Sequence, residues 1–305
     1  MDKTLIHIGY PKTGTTWFQN SFFNKIQNFS FIDRREVKED FILPNSLDFN
    51  ADKIREKYKG ISKPLILSHE LLVGGMIHMG GINGILTQEF AKRLNAVFPN
   101  AHIIIFIRNQ IDHIASAYNQ YIRGGGNLNI NKYLYQDSFD ALNKFFFFSF
   151  AFLEFDKIIS FYKTRFGENN IHVFMYEKFK DNPEQFIKEF CSQFDIKANL
   201  SDINYEPTNI SFRKYIKPIF KSANLLYRRA VIHKINFFKL DKFHETVKYR
   251  LNLWNKHKIF GQFEDSKQIL GKKNYDFIKN YYKEPNKKLI DQHGLVDIKK
   301  YNYPL

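Results

Sequence analysis

The sequence predicts an α/β protein: a P-loop-like three-layer sandwich with a central, mostly parallel sheet flanked by helices. Three observations carry this. Short apolar runs at Leu5–Ile8, Pro64–Ser68, Ala101–Ile107 and Ile171–Met175 each end at polar residues, as strands buried on both faces do. Segments with apolar residues at helical spacing separate these runs, and that alternation points to parallel pairing. The first run passes through Gly9-Tyr10-Pro11-Lys12-Thr13-Gly14-Thr15-Thr16-Trp17 straight into a helical segment. At 305 residues the chain can bury a large core and reads as one domain over 1–305, with a basic, aromatic-rich helical addition at about 213–260.

The first loop is built to hold an anion. A helix start offers unpaired backbone N–H groups and a partial positive charge. Gly9 and Gly14 let the backbone close around a guest. Thr15 and Thr16 add hydroxyl donors, and Lys12 adds a mobile full charge. A Walker A loop reads GxxxxGK[ST], with lysine directly after the second glycine. Here the glycine spacing is kept, but Thr15 fills the lysine position and Lys12 lies inside the loop.

The remaining elements follow in order. Phe18–Phe29 reads as the first helix, with Phe22, Phe23 and Ile26 on one side. Ser30–Gly60 reads as irregular structure with one short helix near Asp52–Tyr58. The strand at Pro64–Ser68 brings Ser68, His69 and Glu70 to a carboxyl end, where open α/β sheets place their ligands. Glu70 there is either a base or a carboxylate capping a helix start. Gly74–Gly84 is a loop bordering a cleft, or a plain connector. Gln88–Phe98 is a helix stopped by Pro99-Asn100, and Ala101–Ile107 a strand that delivers Arg108 at its end.

A helix from about Gln110 to Arg123 follows, with Ser116 two turns in. A strand-end guanidinium can grip a phosphate through paired, charge-assisted hydrogen bonds, and the serine hydroxyl can add a donor. Gly124-Gly125-Gly126 ends the helix and opens a polar loop through Asn127–Tyr135, either a lid or acceptor-contacting loop or a plain helix stop. Phe139–Phe166 reads as a long aromatic helix whose Phe residues pack the core. Ile171–Met175 leads into Tyr176-Glu177 and a turn at Lys180–Pro183, then a helix at Glu184–Phe194 that carries Cys191 as a small core residue. His7, His102 and His113 read as core or surface residues.

The formal net charge of +15 is uneven. Arg213 to Lys258 holds thirteen Lys/Arg against two acids, Asp241 and Glu245, and the rest of the chain is only slightly basic. Such a surplus calls for an anionic partner: a nucleotide, an acidic glycan or an acidic membrane surface; a solvated basic face is the plainer alternative. No helix-turn-helix, zinc or RNP pattern accompanies the charge, so nucleic acid is not expected. No His/Cys/Asp/Glu cluster has metal-ligand spacing. The single Cys191 rules out an intramolecular disulfide, which suits a reducing compartment. The chain enters its first strand at once, and its longest aromatic run, Phe145–Phe152, is too short to span a bilayer. A cytoplasmic protein, at most peripheral at the inner membrane face, is expected. The Lys-, Asn-, Ile- and Phe-rich composition suits a bacterial protein.

Pro11-Lys12-Thr13-Gly14-Thr15-Thr16-Trp17 resembles the 5′-phosphosulfate loop of the PAPS-dependent sulfotransferases. IIIFIRNQIDHIASAY resembles their 3′-phosphate motif, in which a strand-end arginine is followed eight residues later by a serine, here Arg108 and Ser116. One departure is visible, since a proline usual two residues after the arginine is Gln110 here. The strand ending in Tyr176-Glu177 and the tail Lys272–Leu305 are supporting likenesses, as is the segment at Asn209–Lys214. The resemblance implies transfer of a sulfuryl group from PAPS to a hydroxyl or amine, with release of PAP and no metal. It places Tyr176 near the adenine, and Arg213 and Lys214 in a loop closing over the nucleotide. It implies Lys12 as the group neutralising the leaving phosphate, and Glu70, with His69 second, as the base; relatives acting on sugars often use a glutamate in a comparable place. A saccharide or glycolipid acceptor fits that base and the basic patch. The competing readings are an NTP-dependent small-molecule kinase on a P-loop fold and a non-catalytic nucleotide- or glycan-binding relative. Thr15 in the Walker lysine position and the lack of a carboxylate placed for Mg²⁺ oppose the kinase.

Overall fold

A computed structural model describes residues 3–76, 83–135, 148–206, 211–226 and 241–305. Its strands are β1 (Leu5–His7), β2 (Ser30–Phe31), β3 (Leu65–Ser68), β4 (His102–Ile107) and β5 (Ile171–Met175). They form one sheet in the order β2-β3-β1-β4-β5, every pairing parallel. Central β1 sets Ile6 opposite Leu67 on one side and Ile103 on the other.

Strand side chains alternate between the two faces, and both faces are buried. Ile6, Leu67, Ile103 and Ile105 join one core; Leu5, Ile66, Ile104 and Phe106 join the other. The three-layer sandwich follows from this two-sided burial. The second core is largely aromatic, with Phe18 and Phe186 against Phe106 and with Phe22, Phe23 and Phe190 packed on Phe18. Burying each such ring stabilises the fold by about 1.5–3 kcal/mol, so the high Phe content is accounted for by packing.

The helices are α1 (Thr15–Trp17, continued by a π-helical Phe18–Phe22 and a 3₁₀ turn Phe23–Lys25), α2 (Arg34–Val37, continued by a π-helical Lys38–Ile42), α3 (Ala51–Lys59) and α4 (Thr87–Val97). Then come α5 (Gln110–Arg123), α6 (Ile130–Leu134), α7 (Phe155–Phe166), α8 (Tyr176–Asp181) and α9 (Pro183–Phe194). The C-terminal part adds α10 (Ile216–Leu226), α11 (Asp241–Trp254), α12 (Ser266–Leu270), α13 (Lys272–Tyr281) and α14 (Lys283–His293). Among the described residues no helix is long and apolar enough to cross a membrane.

Several expectations need correction. The first helix starts at Thr15 and its helical path ends at Lys25, because Gly14 closes the loop and Ile26 turns extended. The stretch 30–60 holds a strand and a second helix besides α3: β2 is a two-residue edge pairing with β3, and Asp33 caps α2 through the Arg35 N–H. The long aromatic helix is broken; a 3₁₀ turn at Phe150–Leu153 precedes α7, and Glu154 between them is non-helical. Residues 139–147 of that segment lie outside the described ones, as do 77–82 of the glycine-rich loop and 227–240 of the basic stretch. The turn after Tyr176-Glu177 is a short helix, and the polar loop after α5 contains α6. Cys191 is half-buried at the margin of the aromatic core.

Candidate functional site

The carboxyl end of β1 lies between those of β3 and β4, where successive connections leave the sheet in opposite directions. Such a switch point opens a crevice. The first loop fills it from β1, with Glu70 beside it from β3 and Arg108 from β4. Gly9 makes the approach of the first two possible: a Cβ there would stand 3.1 Å from the Glu70 Cα, and the residue holds φ +102. Only glycine meets both demands.

The loop is tied to itself before it meets any guest. Thr13, fully buried, donates its hydroxyl to the Tyr10 carbonyl, and Thr15 donates to the same oxygen at 3.3 Å. These hydroxyls shape the loop, while Thr16 stays exposed at the helix start. Pro11 is buried beside them. Gly14, at φ 86, precedes α1, so the Thr15 and Thr16 N–H groups lie at the open end of the helix.

Lys12 adopts a left-handed backbone, φ 69, and its carbonyl accepts from Arg108 Nη1 at 2.9 Å. Its ammonium donates to Gln120 Oε1 at 3.3 Å. Burial, then the positive fields of Arg108 and Arg123, push the Lys12 ammonium down to about 8 against the opposing pull of Glu70. Arg108 also lies 4.9 Å over the Tyr176 ring, and that ring is the nearest group to a Cβ built at Gly14, at 3.4 Å. Tyr176 thus forms a wall joining loop and guanidinium. Ser116 is half-exposed on α5, one turn before Gln120 on the same helix face, and Arg123 follows at the next turn.

Glu70 and His69 differ sharply. Glu70 Oε1 accepts from Arg34, whereas its buried Oε2 has no hydrogen-bond partner. His69 Nδ1 accepts the Leu71 N–H at 3.0 Å, and burial, with the Arg34 and Lys38 charges, drives the ring down to about 3. Its ring proton therefore resides on Nε2, and no lone pair remains to take a proton. Glu177, after Tyr176, is held by the Asn109 N–H at 2.8 Å and the Tyr303 hydroxyl at 3.1 Å, with its pKa raised by burial.

Three predicted residues are placed elsewhere or used otherwise. The Arg213 guanidinium donates to the Asn255 and Gly261 carbonyls at 2.9 and 2.7 Å and stacks 4.2 Å over Phe263. Lys214 lies over the Tyr215 ring, its N–H bonded to the Gln262 carbonyl. The Trp17 indole turns away from the loop into the aromatic core, donating to the Asn204 carbonyl at 2.8 Å and stacking on Tyr205. His7 and His113 are buried and His102 pairs with His172 at 2.9 Å, all outside the loop. Conversely, Gln120, Arg123 and Arg34 lacked a sequence motif. The first two were reachable by counting turns from Ser116; Arg34 meets Glu70 only through the fold.

A cavity of about 320 Å³ opens beside the loop, with Tyr10, Phe152, Ile158 and Phe161 as apolar walls and Gln88, Glu154 and Lys157 among its polar lining. Among the described residues no group of three His, Cys, Asp or Glu side chains is placed to hold a metal ion.

Residues 87–200 match the model of the sulfotransferase family. That match, to the central part of the chain, is a likeness to the sulfotransferase family. The matched stretch includes Arg108, Ser116 and Tyr176 and begins after the first loop. No curated relative matches the sequence at a significant level. Among solved structures, the chain resembles a sulfotransferase from Alicyclobacillus acidocaldarius at 15% identity and TM-score 0.48, over 74% of this chain and 93% of that one. It also resembles mouse sulfotransferase SULT7A1 complexed with PAP, at 15% identity and TM-score 0.44, over 93% and 84% of the two chains. A sulfotransferase domain from the curacin biosynthetic pathway aligns at 11% identity and TM-score 0.42, over 68% and 79%.

Proposed function

We propose that this protein transfers the sulfuryl group of PAPS to a hydroxyl or amine of a saccharide or glycolipid and releases PAP. The observation that carries the reading is the convergence of Lys12, Arg108, Arg123 and an open helix start on one crevice, with an unpartnered Glu70 oxygen at its side. A bisphosphate nucleotide has the charge and the two separated anions to match that set. In the proposed assignment the first loop, through Lys12, Thr16 and the α1 amides, binds the 5′-phosphosulfate. Arg108 and Ser116 bind the 3′-phosphate, and Tyr176 packs against the nucleotide.

Transfer requires that the acceptor lose a proton, that the leaving phosphate's growing charge be neutralised, and that both be held in line. Glu70 Oε2 takes the acceptor proton as the oxygen attacks sulfur, and the sulfur–phosphate oxygen bond breaks. Lys12 and the amides of the α1 start stabilise the charge gathering on that phosphate. His69 is set aside as base because its acceptor nitrogen is already engaged. The mixed aromatic and charged lining of the cavity at Tyr10 supports a sugar-like acceptor. The exposed aromatic and basic residues of the C-terminal part support action at an acidic membrane surface, in the cytoplasm at the inner face.

Calorimetric titration with PAP tests the reading. Binding in the micromolar range, reduced at least tenfold by Lys12→Ala or Arg108→Ala, with ADP much weaker, is the expected result (about 1.4 kcal/mol or more per lost contact). If ATP or ADP binds as tightly as PAP and Arg108→Ala alters neither, a P-loop kinase takes its place. PAP binding with no turnover of PAPS would mark a binding protein.

A further inference from the structure

We infer that Arg34 is a positioning residue for the base, holding one oxygen of the Glu70 carboxylate so that the other faces the acceptor. The inference rests on Glu70 being that base. Arg34 opens α2, whose start Asp33 fixes by capping, and α2 packs beside β3. From there its guanidinium donates to Glu70 Oε1. Glu70 Oε2 is buried and without a hydrogen-bond partner. Its nearest ring nitrogen, His69 Nδ1, is 4.0 Å away and accepts from the Leu71 N–H, so it cannot donate to the carboxylate.

Rotation of a carboxylate about its last torsion is broad and soft. Fixing Oε1 therefore fixes where Oε2 points, and a general base needs its accepting atom within hydrogen-bond reach of the proton. A stabilising role explains the pair less well. The Arg34 side chain is 48% exposed and Glu70 13%, and a pair half in water contributes little to folding. The asymmetry is the telling feature: one oxygen is satisfied and one is left open in a buried position.

The test measures PAP release from PAPS, with the best of a panel of glycosides and alcohols as acceptor, or with water where none accelerates release. Arg34→Ala is expected to lower kcat about 10- to 100-fold, as misplacement of a reacting group by an ångström does. PAP affinity and the urea midpoint should stay near wild type. Arg34→Lys should retain an intermediate rate, and tens of millimolar guanidinium should partly restore Arg34→Ala, because the position is open to solvent. In the Glu70→Gln background, Arg34→Ala should cost nothing more, since the arginine acts only through that carboxylate. Wild-type turnover in Arg34→Ala, or additive losses in the double variant, would overturn the positioning role while leaving Glu70 as base. Unimpaired turnover in Glu70→Gln would instead remove the base assignment itself, and this inference with it.

Discussion

Lys12 shows how a single position can carry both binding and a pH response. Its ammonium lies among Arg108 and Arg123, and burial with those charges lowers it to about 8 from an ordinary 10.5. A lysine depressed by folding is protonated in the unfolded chain where the folded one has lost its proton. Its contribution to stability therefore improves as pH rises from about 8 to 10.5 and is least favourable below 8. A bound polyanion acts in the other direction and draws the proton back. At pH 8, PAP binding should take up about half a proton, read from the dependence of the calorimetric enthalpy on buffer ionisation enthalpy. At pH 6.5 the uptake should be near zero, and in Lys12→Met it should vanish at both. A wild-type uptake unchanged between the two pH values would mean that this ammonium does not meet the nucleotide. Lys12, Arg108 and Tyr176 were legible because each follows a strand end within a local pattern. Arg34 was not, because its partner lies 36 residues away and a stretch without apolar periodicity gives no hint of the contact.

Among the elements, α5 joins the site to the C-terminal part through its first turn. Asn109 caps the helix by accepting the Ile111 N–H and donates to the Tyr301 and Asn302 carbonyls at 3.1 and 2.7 Å. Gln110, which departs from the proline of the motif this stretch resembles, is fully buried and exchanges two hydrogen bonds with Asn286 of α14, at 2.6 and 3.1 Å. Asn286 then donates to the Pro304 carbonyl at 2.8 Å. Proline fits the first helical position but has no amide side chain to offer. The departure thus replaces a preset backbone angle by a buried cross-link between helices. Gln110→Ala should destabilise the protein by about 1–3 kcal/mol, because the Asn286 Oδ1 is left without a donor inside while its amide N–H keeps the Pro304 carbonyl. Asn286→Ala should cost a similar amount, and the double variant clearly less than the sum, as urea unfolding would record. Additive losses would mean that the two amides act separately. Apolar runs and stop signals were enough to place β1, β3, β4, β5, α4 and α5. Two-residue β2 and the break before α7 were hidden, since one is made by its neighbour β3 and the other lies inside a continuous aromatic run.

At the scale of the whole molecule, the charge asymmetry seen in the sequence coincides with exposed apolar surface. Tyr215, Tyr249, Trp254 and Ile259 are 58, 65, 46 and 83% exposed. The Arg213 contacts give this arrangement its frame, binding the segment after α11 back to the start of α10. Arg213, expected at the nucleotide, has its guanidinium engaged by these carbonyls; charge counting could locate the surplus but not the carbonyls that hold this arginine. Cations beside exposed aromatic rings are what an anionic bilayer surface takes up. The protein should co-sediment with vesicles containing phosphatidylserine and not with pure phosphatidylcholine, and high salt should release it. Trp254 reports on the contact by itself, since the other of the two tryptophans, Trp17, is 4% exposed. Its emission should shift to the blue on anionic vesicles, and Trp254→Ser with Ile259→Ser should weaken binding several-fold, about 1 kcal/mol or more for two buried apolar side chains. Binding to heparin with no vesicle response would assign the surface to an acidic glycan. Indifference to both would leave it a solvated face, and the membrane contact would then be withdrawn from the proposed function.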